Sequence, residues 1–443
     1  MQPTSPAAAP ALVWAVPFVG LLVSLALGPM LAPRAWHRHA AAVIGLWIAA
    51  LLLPRAVAAG PAAAAAEAWH AVLTDYLPFI TLLLALHAAA GGILLRGGPG
   101  GTPAGNTLML AVGTLLGAVL GQAGAAIVVI TPLLRANAHR TRKVHLVLFV
   151  ILLVANAGGA LSPLGNPPLY LGYLQGVPFF WPARHLWGPF LLLAGLLLAG
   201  FYLLDRRLAA GDPPPPPAER LHLRGWGNVG LVLLTGAAVL AQQSGPGGDV
   251  VLLGQTVAAT RLAAVGVFGA VAALSAGFTP RAIRQANDFS WAPMREVALV
   301  FLAVFVTLSP VLDLLREGMA GPLAPLLRLT LDHAGQPRPA AYFWLTGGLS
   351  AVLDNAPAYL VFFRLAGLHP PGLDPAQIRL LAALSAGAVF FGGLTYLGNA
   401  PNLIVRGIAA HRGVRMPGFL AYAALAGAVL APVLLVLTAV FFR

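Results

Sequence analysis

The sequence predicts an all-α polytopic membrane protein built from two inverted repeats, and three observations predict it. The chain is 59% hydrophobic and 9% charged, with a mean hydropathy of +0.84, far from the quarter-charged makeup of a soluble domain. Apolar stretches recur along all 443 residues, at the ~20-residue length that a helix needs to cross ~30 Å of hydrocarbon. A segment rich in Gly, Pro and Asn, GALSPLGNPP at 159–168, interrupts one such stretch and returns as GGLTYLGNAP at 392–401. Backbone groups in lipid must be paired internally, so the spans are helices; barrel strands would alternate in polarity, and these do not.

Taken in order, the expected spans are 12–32, 40–59, 76–95, 143–175, 186–204, 225–243, 256–276, 296–315, 378–408 and 418–442. The first lacks a positive leader and is followed by Arg34, His37, Arg38 and His39, which argues against a cleaved signal peptide. Residues 106–136 and 340–366 are too long for one helix and too short for two crossings. Each has a helix-breaking centre, GQAG at 121–124 and DNAP at 354–357, and so reads as a re-entrant hairpin. The spans 143–175 and 378–408 contain the repeated motif and read as broken helices. The segments around Trp69 and Phe289–Trp291 read as interfacial helices. One polar linker, DRRLAAGDPPPPPAERLHLR at 205–224, carries a stiff, extended proline run.

This linker separates two halves, 1–204 and 225–443, that align with a shift of 233 residues. The shift places Asn166 on Asn399 and Ser162 on Thr395. It also places AVLGQAGAAIVV, 118–129, on AVLDNAPAYLVF, 351–362. Each half then holds five crossings and one hairpin, and an odd number of crossings inverts the second half. Arginine placement agrees. With both termini outside, the cytoplasmic loops carry Arg34 and Arg38; Arg96, Arg135, Arg140, Arg142 and Lys143; Arg206, Arg207, Arg220 and Arg224; Arg281, Arg284 and Arg295; Arg406, Arg412 and Arg415. Those are 17 positive residues against eight outside, with Arg261 inside a span, as the positive-inside rule requires.

Several function classes are excluded or unsupported. With no Cys, thiol catalysis, iron–sulfur ligation and disulfides are excluded, and the compartment stays open by that test. The net charge of +13 is spread over short loops and does not form a nucleic-acid face. Nothing forms a nucleotide, resident-metal or nucleophile motif, so no enzyme and no cofactor are expected.

The breaks carry the chemistry. Asn166-Pro167-Pro168, Asn355-Ala356-Pro357 and Asn399-Ala400-Pro401 each set Asn ahead of a proline suited to the first helical turn. Inward-pointing helix starts offer partial positive charge, while carbonyls released at Gly158-Gly159 and Gly392-Gly393 offer cation ligands. Ser162 and Thr395 add hydroxyls; Gln122, Asn156 and Asn402 lie beside the breaks and complete the candidate set. A plainer reading makes the motifs capped kinks. Asp354 is the sharpest residue, the one carboxylate placed at a hairpin turn at membrane depth, where a charge is expensive and functional by default. Its alternative role is a helix cap. His87 is read as a packed, hydrogen-bonded residue ahead of a proton relay, and Arg261 as a snorkelling residue ahead of a substrate ligand.

The motifs LDNAPAYLVFF, TYLGNAPNLIV, SPLGNPPLYLGYLQGVPFFW and RGVRMPGF resemble the ion transporter superfamily, closest to a bacterial branch named for citrate transport or sodium:proton antiport. The resemblance covers nearly the whole chain. It implies inverted repeats, a homodimer in the bacterial inner membrane, and elevator-type movement of hairpins and broken helices against a scaffold. The branch commonly has an acidic residue in a GDPPL-like motif where this chain has Asn166. The expected function is Na⁺/H⁺ antiport, with both ions competing for Asp354 and with Asn166, Asn355, Asn399, Ser162, Thr395 and free carbonyls completing the cage. Sodium is assigned to Asp354, Asn166 and Asn399. The alternative is a cation-coupled citrate or dicarboxylate transporter in which Asp354 binds only the coupling ion.

Overall fold

The computed structural model describes residues 12–244 and 247–443. It is mostly helical, and among the described residues ten helices are long and apolar enough to cross a membrane. Helices α1 (Val16–Leu31) and α2 (Pro33–Ala59) pack together. Then α3 (Pro61–Ala71) runs through a π turn, Val72–Tyr76, into α4 (Leu77–Ala90). Trp69 thus belongs to one 30-residue helix instead of a separate interfacial one. The span expected at 76–95 ends at Ala90, and strand β1 (Leu94–Gly98) follows.

Next, α5 (Pro103–Leu120) and α6 (Gln122–Ala136) form a tight helical pair joined by Gly121 alone. Its φ of +72° is a conformation that favours glycine. Helix α7 (Val144–Phe149) continues into a second π turn, Val150–Val154, and then a short 3₁₀ turn, Ala157–Leu161. After the break come α8 (Pro167–Leu174), α9 (Trp181–His185) and α10 (Trp187–Ala209). In the second π turn Ala155 N–H donates to Val150 O at 2.9 Å. That leaves the Ile151 carbonyl to the Asn156 side chain at 2.8 Å.

The linker is only partly free. Its last residues form β2 (Glu219–Arg224), paired antiparallel with β1. Helix α11 (Trp226–Ser244) matches the span expected at 225–243 but is not among the ten crossing candidates, whereas 18-residue α5 is. A small hairpin, β3 (Asp249–Leu252) and β4 (Gln255–Ala258), leads into α12 (Ala259–Phe278) and α13 (Arg281–Ala286). Phe289–Trp291 is the lead-in to α14 (Ala292–Arg316), with no helix of its own. Then come α15 (Ala324–Arg328), α16 (Pro339–Val352), α17 (Asn355–Leu365), α18 (Pro375–Phe390), α19 (Ala400–His411) and α20 (Phe419–Phe441).

Helix α7 and its π turn are buried from His145 to Val154 and apolar except for His145, as suits a helix surrounded by protein. By contrast, α10 and α20 leave Leu191, Leu203, Leu420, Leu435 and Val440 exposed, a surface suited to lipid. The first residue of the expected linker lies in the core instead. Asp205 is fully buried on α10, where it takes hydrogen bonds from Arg140, from His145 Nε2 (2.7 Å) and from Asn106 Nδ2 (2.9 Å). One carboxylate thereby ties α5, the loop after α6, α7 and α10 together.

Candidate functional site

The two breaks are built alike. Ser162 Oγ donates to the Ala118 carbonyl, and 233 residues further on Thr395 Oγ1 donates to the Ala351 carbonyl at 2.6 Å. Each hydroxyl also accepts a loop amide at 3.1 Å, from Gly165 and Gly398 respectively. The chain then folds onto itself so closely that a Cβ on Gly159 would lie 2.6 Å from Gly165 O. One on Gly398 would lie 2.7 Å from Gly392 O. Side chains are excluded at these positions, and the two loops close into tight knots from which α8 and α19 start.

Asn166 and Asn399 precede those helices, but neither side chain caps its own helix. Both reach across the molecule. Asn355 Nδ2 donates to Asn166 Oδ1 (3.0 Å), Asn166 Nδ2 to Gln122 Oε1 (2.8 Å), and Gln122 Nε2 to Asn399 Oδ1 (2.9 Å). Asn399 Nδ2 donates to Asn156 Oδ1 (2.9 Å), and Asn156 Nδ2 to Asn402 Oδ1 (2.9 Å). All six amides named from sequence thus form one buried chain linking residues more than 200 positions apart.

Asp354 caps α17, its Oδ1 accepting from Ala356 N–H at 3.2 Å. It lies on the walls of two cavities. The smaller, about 80 Å³, is lined by Gly121, Gln122, Pro167, Asn399 and Ala400, where the starts of α6, α8 and α19 converge. The larger, about 600 Å³, runs along the first half of α14 and is lined also by Asp288, Glu296, Tyr396 and His411. His87 lines both; it is packed against Phe289 and its Nε2 lies 2.9 Å from Ser290 O. A third cavity, about 370 Å³, follows the second half of α14 and is lined by Asp75, Asp313, Arg316 and Arg364. Arg261 lies apart from these walls and donates to the carbonyls of Thr74 and Leu174.

A family model described as "Putative citrate transport" matches residues 7–442. The chain belongs to this family. Both helical pairs, both breaks and all six amides fall within the matched region. The protein is accordingly a multi-pass membrane protein of a transporter family. No curated protein matches the chain.

Sequence reading missed the Asp205 cluster and the acidic pair Asp288 and Glu296. Asp288 lies just beyond α13 and is held by Arg412 at 2.9 Å. Nothing in its local sequence separates it from an ordinary loop carboxylate. The sequence did offer a signal for Asp205, because helix-forming residues continue past it to Ala209.

Proposed function

We propose that the protein is a sodium/proton antiporter of the bacterial inner membrane, in which Na⁺ and H⁺ compete for Asp354. The observation that carries this reading is the lining of the large cavity. Glu296 and Asp354 lie on it, with Asp288 paired to Arg412, and among its described lining residues there is no Arg or Lys. Such a wall concentrates cations and opposes a polyanion. The second reading is cation-coupled citrate transport, favoured by the family description and by three helix starts around the small cavity, which suit carboxylates.

An elevator-type cycle is supported by the two larger cavities. They follow successive halves of α14 and meet successive positions along α17 and its cap, Asp354 and Pro357 on one side and Leu360 and Arg364 on the other. In this reading the α5–α6 and α16–α17 pairs are re-entrant hairpins of two inverted repeats. They and the broken helices move past a scaffold that includes α14, within a homodimer.

The transport test uses proteoliposomes. An inward Na⁺ gradient is expected to alkalinise the lumen, because each Na⁺ that enters drives H⁺ out, while labelled citrate stays at the level of empty vesicles. Citrate uptake without a Na⁺-driven pH change would reverse the choice. The inverted topology has its own test, made clean by the absence of Cys. Pro215→Cys and His333→Cys are expected to react with an impermeant maleimide from opposite sides of the membrane. Labelling from one side would defeat the inversion.

A further inference from the structure

An amide side chain shows an oxygen on one side and a nitrogen on the other, and its fixed partners decide which way round it sits. Backbone carbonyls only accept. Asn402 Nδ2 meets the carbonyls of Gly392 and Thr395 at 2.7 and 2.8 Å. Asn156 Nδ2 meets Ile151 O at 2.8 Å, and Asn399 Nδ2 meets Ala155 O at 3.0 Å. Three amides are therefore locked independently of one another, each with its oxygen turned toward the next member of the chain.

The remaining members follow. Gln122 must donate to the locked Asn399 oxygen, so its own oxygen accepts from Asn166. Asn166 Oδ1 in turn accepts from Asn355. The chain ends on Asn355 Oδ1, a buried atom without a hydrogen-bond partner, next in sequence to Asp354. A buried acceptor left in this state costs about 1–3 kcal/mol. Amides aligned in one direction also polarise one another, so the free oxygen is the negative end of the row.

We infer that Asn355 Oδ1 is the one free amide oxygen of the network, a ligand for a monovalent cation beside Asp354, and that Asn166, Asn399 and Asn156 are positioning residues. Each of their oxygens already accepts from a neighbouring amide, and they act on Asn355 along the row: Asn166 directly, Asn399 and Asn156 through Gln122 and Asn166. A carboxylate ligand would meet this end acceptor against acceptor. The inference rests on the cation reading above and narrows its cage to one amide. Asn402 is redundant within it, because Asn156 and Asn399 have carbonyl locks of their own.

The test is the melting temperature of the purified full-length protein, titrated with NaCl, LiCl or KCl against choline chloride at constant ionic strength. The wild type is expected to gain stability from at least one of these cations, and Asn355→Leu to show no response. Asn399→Leu and Asn399→Asp should both raise the required concentration at least about tenfold, the scale of one lost hydrogen bond. The Asp variant fails because its second oxygen faces Ala155 O and Asn156 Oδ1. Asn402→Leu removes an equally buried amide; it should lower the melting temperature in choline yet leave the cation concentration unchanged.

Asn399→Asp binding as tightly as the wild type would make residue 399 a direct ligand and overturn the inference. Equal shifts in Asn399→Leu and Asn402→Leu would overturn it too, reducing both to structural roles. Should neither residue-399 variant fold, Gln122→Leu cuts the chain at its centre and must give the same loss; an unchanged response sinks the idea. A wild type indifferent to all three cations also overturns it. A cation response without Na⁺-driven pH change in vesicles defeats the antiporter reading alone and leaves the inference standing.

Discussion

Asp354→Asn is expected to reduce Na⁺/H⁺ exchange in proteoliposomes by at least about 100-fold, the scale on which losing a positioned proton carrier registers. The protein itself should survive the change. Asn is as good a helix cap as Asp, so the bond to Ala356 N–H can persist and the melting temperature should stay near the wild-type value. The other carboxylates on the large cavity do not replace Asp354, since Asp288 is engaged by Arg412 and Glu296 is exposed. A single titratable group serving both ions implies one Na⁺ for one H⁺, so an imposed membrane potential should leave the wild-type rate unchanged. Ordinary exchange by the variant would demote Asp354 to a cap and bring citrate forward. A strong response of the wild type to potential would require a second charged participant, with His87 the next candidate on the same wall.

Asp205→Asn is expected to destabilise the protein by about 3–5 kcal/mol, the usual cost of removing one member of a buried ion pair. The amide oxygen can still accept from Arg140 and His145, which share Oδ1, but the buried guanidinium loses its counter-charge and the new amide nitrogen meets Asn106 Nδ2 donor against donor. Thermal unfolding in detergent measures the loss. The companion variant Asp205→Leu with Arg140→Met and His145→Phe removes every charge at once and should recover much of the stability, because buried pairs return little beyond their desolvation cost. If Asp205→Asn melts with the wild type, the cluster is not holding α5, α7 and α10 together.

Helix number and type were legible because apolar length is a strong local signal, and all three Asn-before-Pro breaks became helix starts. Boundaries were harder. The segment before Tyr76 is amphipathic enough to read as interfacial, yet a π turn carries the helix straight through it. The polar composition of 205–224 concealed both the buried Asp205 and the strand that pairs with Leu94–Gly98, because pairing between distant segments leaves no periodicity. At the site, residue types pointed to Asn166, Asn399 and Gln122, but which amide touches which could not be read. Gln122 and Asn399 are 277 positions apart, and neither Asn156 nor Asn402 has an amide at the matching repeat position.

The π turn at Val150–Val154 has a consequence for how ion preference is written into the chain. Had the helix kept α winding, Ala155 N–H would take the Ile151 carbonyl, and Asn156 would lose the acceptor that keys it. One extra wound residue works like a notch on a connector: it fixes the sense of Asn156, as the carbonyls of Ala155, Gly392 and Thr395 fix those of Asn399 and Asn402. Part of the polarity of the amide row is thereby recorded in helical phase, in a turn whose own side chains are all apolar. A change in the number of residues between Val144 and Ala155 would remove that one lock and leave the other two to hold the row.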